Sequence, residues 1–89
     1  MQEGILMEYT KEQRSRIFEL MQTVIENSTG RYADYAKAYA EQSWSAYYNY
    51  GDEGLEHQIP YVLSNLQYWR GDLAKTTKAE LKTFNRFTN

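Results

Sequence analysis

His57 follows Glu53 by four residues, a spacing that puts an imidazole and a carboxylate on one side of a helix. Such a pair could move a proton. It cannot hold a metal unaided, because protein metal sites usually take three or four ligands, and the chain has no second histidine and no cysteine. Asp52 and Glu53 are adjacent carboxylates between Gly51 and Gly54. Acid–base catalysis needs two such groups in environments that pull their pKa values apart. A glycine-flanked loop leaves both in water, so this pair reads as a solvated connector. Ser43, Ser45 and Ser64 stand in no nucleophile motif, and Gly30, Gly51, Gly54 and Gly71 are too scattered to cradle a phosphate. The sequence thus presents no catalytic residue, no metal site and no cofactor site, and the expectation is a non-enzyme. An enzyme would need a cleft that gathers His57, Glu53 and Tyr50.

Two other groups of side chains could do binding chemistry. The first is aromatic. Nine tyrosines, three phenylalanines and two tryptophans stand in 89 residues, and residues 31–52 alone hold six of the tyrosines and Trp44. A small domain hides fourteen rings with difficulty, and a buried tyrosine hydroxyl needs a partner. Tyr and Trp supply large contact area at low rotational cost, which is why they anchor interfaces. The second group is basic. Lys75, Lys78, Lys82 and Arg86 recur at three- and four-residue spacing, which forms a cationic stripe if the segment is helical. Such a row could follow a phosphate backbone or an acidic protein groove, or be an ordinary solvated face.

The elements that must position these groups are helices. Length bounds the chain to one domain, and the lack of cysteine leaves the fold to packing, a composition that suits a reducing compartment. The run Ile5-Leu6-Met7 is too short for a signal core or a membrane span, so the expectation is a cytoplasmic protein with no membrane partner. Residues 1–9 read as an N-terminal extension and 10–89 as a single helical domain. Thr10 and Gln13 form a capping box, and Ile17, Phe18, Leu20, Met21, Val24 and Ile25 share one arc of the helix that follows. Gly30 is suited to a left-handed cap. On a second helix over 32–50, Tyr32, Tyr35, Ala36, Tyr39, Ala40, Ser43, Ala46, Tyr47 and Tyr50 fall on one side. Trp44 lies at the edge of that stripe and Tyr48 beyond it.

Gly51-Asp52-Glu53-Gly54 reads as a break, with a third helix starting near Leu55 or at Pro60. Its apolar face is Ile59, Val62, Leu63, Leu66 and Trp69, and Tyr61 and Tyr68 point the opposite way. After Gly71, Asp72 is placed to cap a fourth helix whose inner face is Leu73, Ala74, Thr77, Leu81, Phe84 and Thr88. Helices three and four could instead merge through Gly71. The expected fold is all-α, a compact bundle of three to four helices. Charge divides unevenly along it. Residues 1–60 hold ten acids and five bases, and residues 61–89 hold two acids and five bases, so a net −2 hides halves of −5 and +3.

Residues 61–84 contain Tyr61-Val62-Leu63, the junction Trp69-Arg70-Gly71-Asp72, and the spaced Ala74, Lys78 and Leu81. This quarter of the chain resembles the C-terminal part of small phage and prophage accessory proteins of Gram-positive bacteria. The resemblance implies a helical factor that binds a host or phage component, and it brings no catalytic residues with it. The expected function is a non-enzymatic interaction protein that binds a protein partner, or itself as an oligomer, through Trp44, Tyr48, Tyr61 and Tyr68. The alternative is a small nucleic-acid-binding regulator using Lys75, Lys78, Lys82 and Arg86. Base readout usually wants Arg, Asn or Gln where a recognition helix begins, and Asp72-Leu73-Ala74 stand there instead.

Overall fold

The computed structural model describes residues 8–87, and within them the chain forms four helices and no strand. They are α1 (Lys11–Asn27), α2 (Ala33–Tyr50), α3 (Asp52–Ser64) and α4 (Asp72–Phe84). The fold is an all-α bundle. α2 lies between α1 and α3, and α4 packs on both α1 and α3.

The capping box opens α1 as its residue types require. The Gln13 amide donates to the Thr10 hydroxyl at 3.0 Å, and the Thr10 amide donates to the Gln13 side chain at 2.8 Å. Ile17, Leu20, Met21 and Val24 are buried, while Phe18 and Ile25 sit half-buried on the rim. The helix ends on Ser28 in extended backbone rather than on a left-handed glycine. Gly30 takes the positive φ two residues later, and a Cβ there would lie 2.7 Å from the Tyr68 carbonyl oxygen.

α2 buries its small residues. Ala33, Ala36, Ala40 and Ser43 form the centre of the inner face, and Tyr32, Tyr39 and Tyr47 flank it half-buried. Tyr35 and Tyr50, expected on the inner stripe, are exposed. The stripe as read from spacing is too wide for one helix face, and the backbone chose the alanines so that its neighbours could come close.

α3 begins earlier than the sequence suggests. Gly51 alone makes the break: with φ 70° its amide closes α2 on the Tyr47 carbonyl at 2.7 Å, and its carbonyl accepts from Leu55 to open α3. Asp52, Glu53 and Gly54 are already helical, and Pro60 lies inside the helix, not at its start. Gly54 is required by packing, since a Cβ there would strike the Ala46 carbonyl across the helix pair. Ile59, Val62, Leu66 and Trp69 are buried as their spacing predicts, and Leu63 is half-buried.

α3 and α4 are separate helices joined by residues 65–71. Gly71 (φ 111°) precedes α4, and the Asp72 side chain makes no cap hydrogen bond, contrary to the sequence reading. The Lys78 ammonium ties the connection down, donating to the Trp69 carbonyl at 2.7 Å and the Leu66 carbonyl at 3.1 Å. α4 buries Ala74, Thr77 and Leu81. Leu73, expected inside, faces solvent, and Thr88 lies outside the described residues, as does the run Ile5-Leu6-Met7.

Tyr9 is part of the core rather than of an extension. It is buried, packs edge-on to Phe84 with ring centroids 6.2 Å apart, and its hydroxyl donates to the Phe84 carbonyl at 2.8 Å. Burial pushes the Tyr9 hydroxyl up to about 12, with nearby Glu56 and Asp52 adding to the effect and Arg86 opposing it. Asp52 is likewise structural and no mere connector. It accepts from Arg14 Nε at 2.8 Å, from Arg14 Nη2 at 3.0 Å and from the Tyr9 amide at 2.9 Å. The Arg14 fork holds its carboxyl below the ordinary aspartate value, outweighing desolvation, and the Tyr9 amide assists.

Candidate interaction surfaces

α2 carries rings on both flanks, and the two flanks meet different neighbours. Toward α1, Phe18 lies between Trp44 at 5.0 Å and Tyr47 at 5.7 Å, ring centroid to centroid. Toward α3, Tyr39 stacks on Tyr61 at 5.2 Å with 19° between planes, and Tyr32 meets Tyr68 at 5.6 Å. α2 and α3 run antiparallel, so the Tyr39–Tyr61 and Tyr32–Tyr68 pairs succeed one another along one face. Tyr35 lies between them on the same edge of α2, 63% exposed. The Arg31 guanidinium covers the Tyr68 ring at 5.4 Å. The result is a ladder of five tyrosines.

The four tyrosine and tryptophan positions singled out from sequence therefore divide. Tyr61 (51% exposed) and Tyr68 belong to the ladder. Trp44 and Tyr48 (85% exposed) lie one turn apart on the other flank of α2, beside α1. Both pairs are accessible, but they do not share a surface. Spacing puts Tyr32, Tyr35 and Tyr39 on the inner stripe, whereas Tyr35 is exposed and Tyr32 and Tyr39 are half-buried at its edge. Their i, i+3, i+7 spacing was visible and was absorbed into the presumed core stripe.

The basic residues divide too. Lys75, Lys78 and Lys82 line one open groove of about 650 Å³ with Trp69 and Arg70. Lys78 gives its protons to the two carbonyls at the groove's base. Burial, then Arg70 and Lys82, lower its pKa. Arg86 is elsewhere. Its guanidinium sits 4.0 Å over the Tyr9 ring and 4.0 Å from Glu56 Oε2. Arg70, from the α3–α4 connection, takes the fourth place in the groove, which the helical spacing could not reveal. Asp72 also lines it and reduces its charge.

A second groove, about 680 Å³, opens at the Gly51 end of the bundle. It does gather Tyr50, Glu53 and His57, together with Glu8, Asp52 and Glu56. No serine, threonine or cysteine lines it, and the His57 ring packs on Phe87 at 4.7 Å. Among the described residues no group of three or more histidine, cysteine, aspartate or glutamate side chains is placed to hold a metal ion. None of the described helices is long and apolar enough to cross a membrane. No family model, curated protein or solved structure matches the chain.

Proposed function

We propose that the protein is a non-enzymatic binding module whose tyrosine ladder docks a partner polypeptide. The observation that carries this reading is the alignment of Tyr32, Tyr35 and Tyr39, at and after the start of α2, with Tyr61 of α3 and Tyr68 of the α3–α4 connection. Pairing fixes the orientation of the Tyr39–Tyr61 and Tyr32–Tyr68 rings before any partner arrives, so little further entropy is lost by these four on binding. Their faces offer area for apolar or proline side chains, and their hydroxyls suit the free carbonyls of an extended segment. The resemblance of residues 61–84 to phage and prophage accessory proteins supplies the setting in this reading, a factor acting in a bacterial host's cytoplasm.

Selection of a random peptide library on the intact protein tests it, with sedimentation velocity to score self-association. Enriched peptides should lose at least about tenfold in affinity when Tyr35, Tyr61 and Tyr68 are changed together to Ala. A strict monomer that enriches no peptide, or one whose ligands ignore the triple change, would overturn the reading.

A second reading is favoured by one specific observation, the convergence of Arg70, Lys75 and Lys82 on the groove above Lys78. It is a small nucleic-acid binder that neutralises backbone phosphates there. With three cations engaged and Lys78 tied to carbonyls, log K should fall against log salt with a slope near about −2.7. Absence of binding to any single strand or duplex at low salt would remove it.

A further inference from the structure

We propose that the groove at the Gly51 end binds a monovalent organic cation, an alkylammonium or alkylguanidinium group. The starting point is Glu56, a carboxylate on α3 only 2% exposed and lining the groove. Its Oε2 receives no hydrogen bond. Arg86 is near at 4.0 Å, beyond hydrogen-bond reach, so charge is balanced at a distance while the oxygen's lone pairs stay unused. A buried carboxylate oxygen in that state is costly, and a donor entering from the groove would remove the cost.

The surroundings select the donor. Among the described residues Glu8, Asp52, Glu53 and Glu56 stand against Arg14 and Arg86 here, so acids exceed bases by two. Arg14 is committed to Asp52 through Nε and Nη2. Tyr47, Tyr50 and Phe87 line the same groove, and aromatic faces attract cations. The chain already shows the pairing once, with the Arg86 guanidinium lying over Tyr9 beside Glu56. A metal ion would need more ligands than are gathered there, whereas an organic cation needs one or two carboxylates and a ring. The groove shares no residue with the tyrosine ladder and stands or falls independently of it.

Backbone amide shifts of the intact protein, followed by NMR during titration, test the proposal. The probes are butylguanidinium, butylammonium and their neutral isostere butylurea, with a blocked Gly-Gly-Arg-Gly-Gly peptide as a fourth. Saturable shifts at Tyr50, Glu53 and His57 are expected below about 20 mM for the cations and not for butylurea. The peptide arm locates the source. Tighter binding than butylguanidinium points to a basic side chain of a partner, and equal or weaker binding to a free amine. Glu56→Gln should weaken binding at least about fivefold, and exposed Glu53→Gln about twofold. No saturable shift, equal response to butylurea, or unchanged affinity in Glu56→Gln would overturn the site. Should Glu56→Gln not fold, unchanged affinity in both Glu53→Gln and Tyr50→Ala would do the same.

Discussion

The two flanks of α2 are built from the same kind of side chain and hold their rings differently. On the α1 side, Phe18 sits between Trp44 and Tyr47 and joins the edge of the core. On the α3 side every ring is a tyrosine, and Tyr35, Tyr61 and Tyr68 keep much of their surface in water. The difference follows from backbone spacing. Ala36, Ala40 and Ser43 let both neighbours approach α2, and Gly54 brings α3 close enough that the Ala46 carbonyl fills the place of a side chain. With the helices that near, Tyr39 reaches only the edge of the core, and Tyr35, Tyr61 and Tyr68 lie outside it over the seam. A tyrosine tolerates that position because its hydroxyl stays hydrated. The lesson is that a ring's location is set by the small residues beside it.

Widening the α2–α3 seam should have the largest effect. Gly54→Ala sets a Cβ against the Ala46 carbonyl, which is backbone and cannot swing aside, and should destabilise by about 3 kcal/mol in urea melts. The ladder should loosen with it, seen as lost Tyr39 and Tyr61 ring shifts in NMR, while Phe18 and Trp44 signals persist. An effect confined to the α1 flank would break the comparison.

Asp52 ties the shared end of both seams and should rank next. Asp52→Asn gives up two charge-assisted bonds from Arg14 and should cost about 2 kcal/mol at neutral pH. Its folded-state pKa is depressed, so the carboxylate's contribution is present above the unfolded value near ~3.9 and disappears as pH falls through the lower folded value. Glu80, held down by Arg16, acts in the same direction. Wild-type stability should therefore decline below about pH 4 more steeply than that of Asp52→Asn.

Three ring truncations sharpen the contrast between flanks. Phe18→Ala should cost about 2 kcal/mol, because its ring is held between two others at the edge of the core. Tyr61→Ala should cost under about 1 kcal/mol and Tyr48→Ala within about 0.5 kcal/mol, since neither fills the interior. Thermal melts of the three variants would check the order, and a Tyr61 cost equal to that of Phe18 would contradict it.

Local signals were legible and tertiary ones were not. Thr10 and Gln13 announce the start of α1 because a capping box is closed within four residues. Ile59 and Val62 on the inner face of α3 follow from helical spacing, whereas buried Gly54, Leu55 and Glu56 precede the face that spacing marks. Gly54 misleads because its reason lies on α2, and a glycine beside Asp-Glu resembles a loop until that contact is known. Lys78 misleads for the same cause. Its spacing places it with Lys75 and Lys82, yet its protons belong to carbonyls 9 and 12 residues upstream. The exposure of Trp44, Tyr48, Tyr61 and Tyr68 could be read from helical wheels, but their division between two faces depends on which helix packs on which flank.

The hydrogen bond from Tyr9 to Phe84 spans 75 residues. A nascent chain leaves the ribosome from its N-terminus, so Tyr9 emerges long before the carbonyl it serves. Until then the phenol must stay solvated or find a temporary cover. Closing a loop of that length costs only a few kcal/mol of chain entropy, so the delay is one of synthesis rather than of search. Translation thus sets the order in which the two halves of this contact become available, with the donor exposed before its acceptor exists.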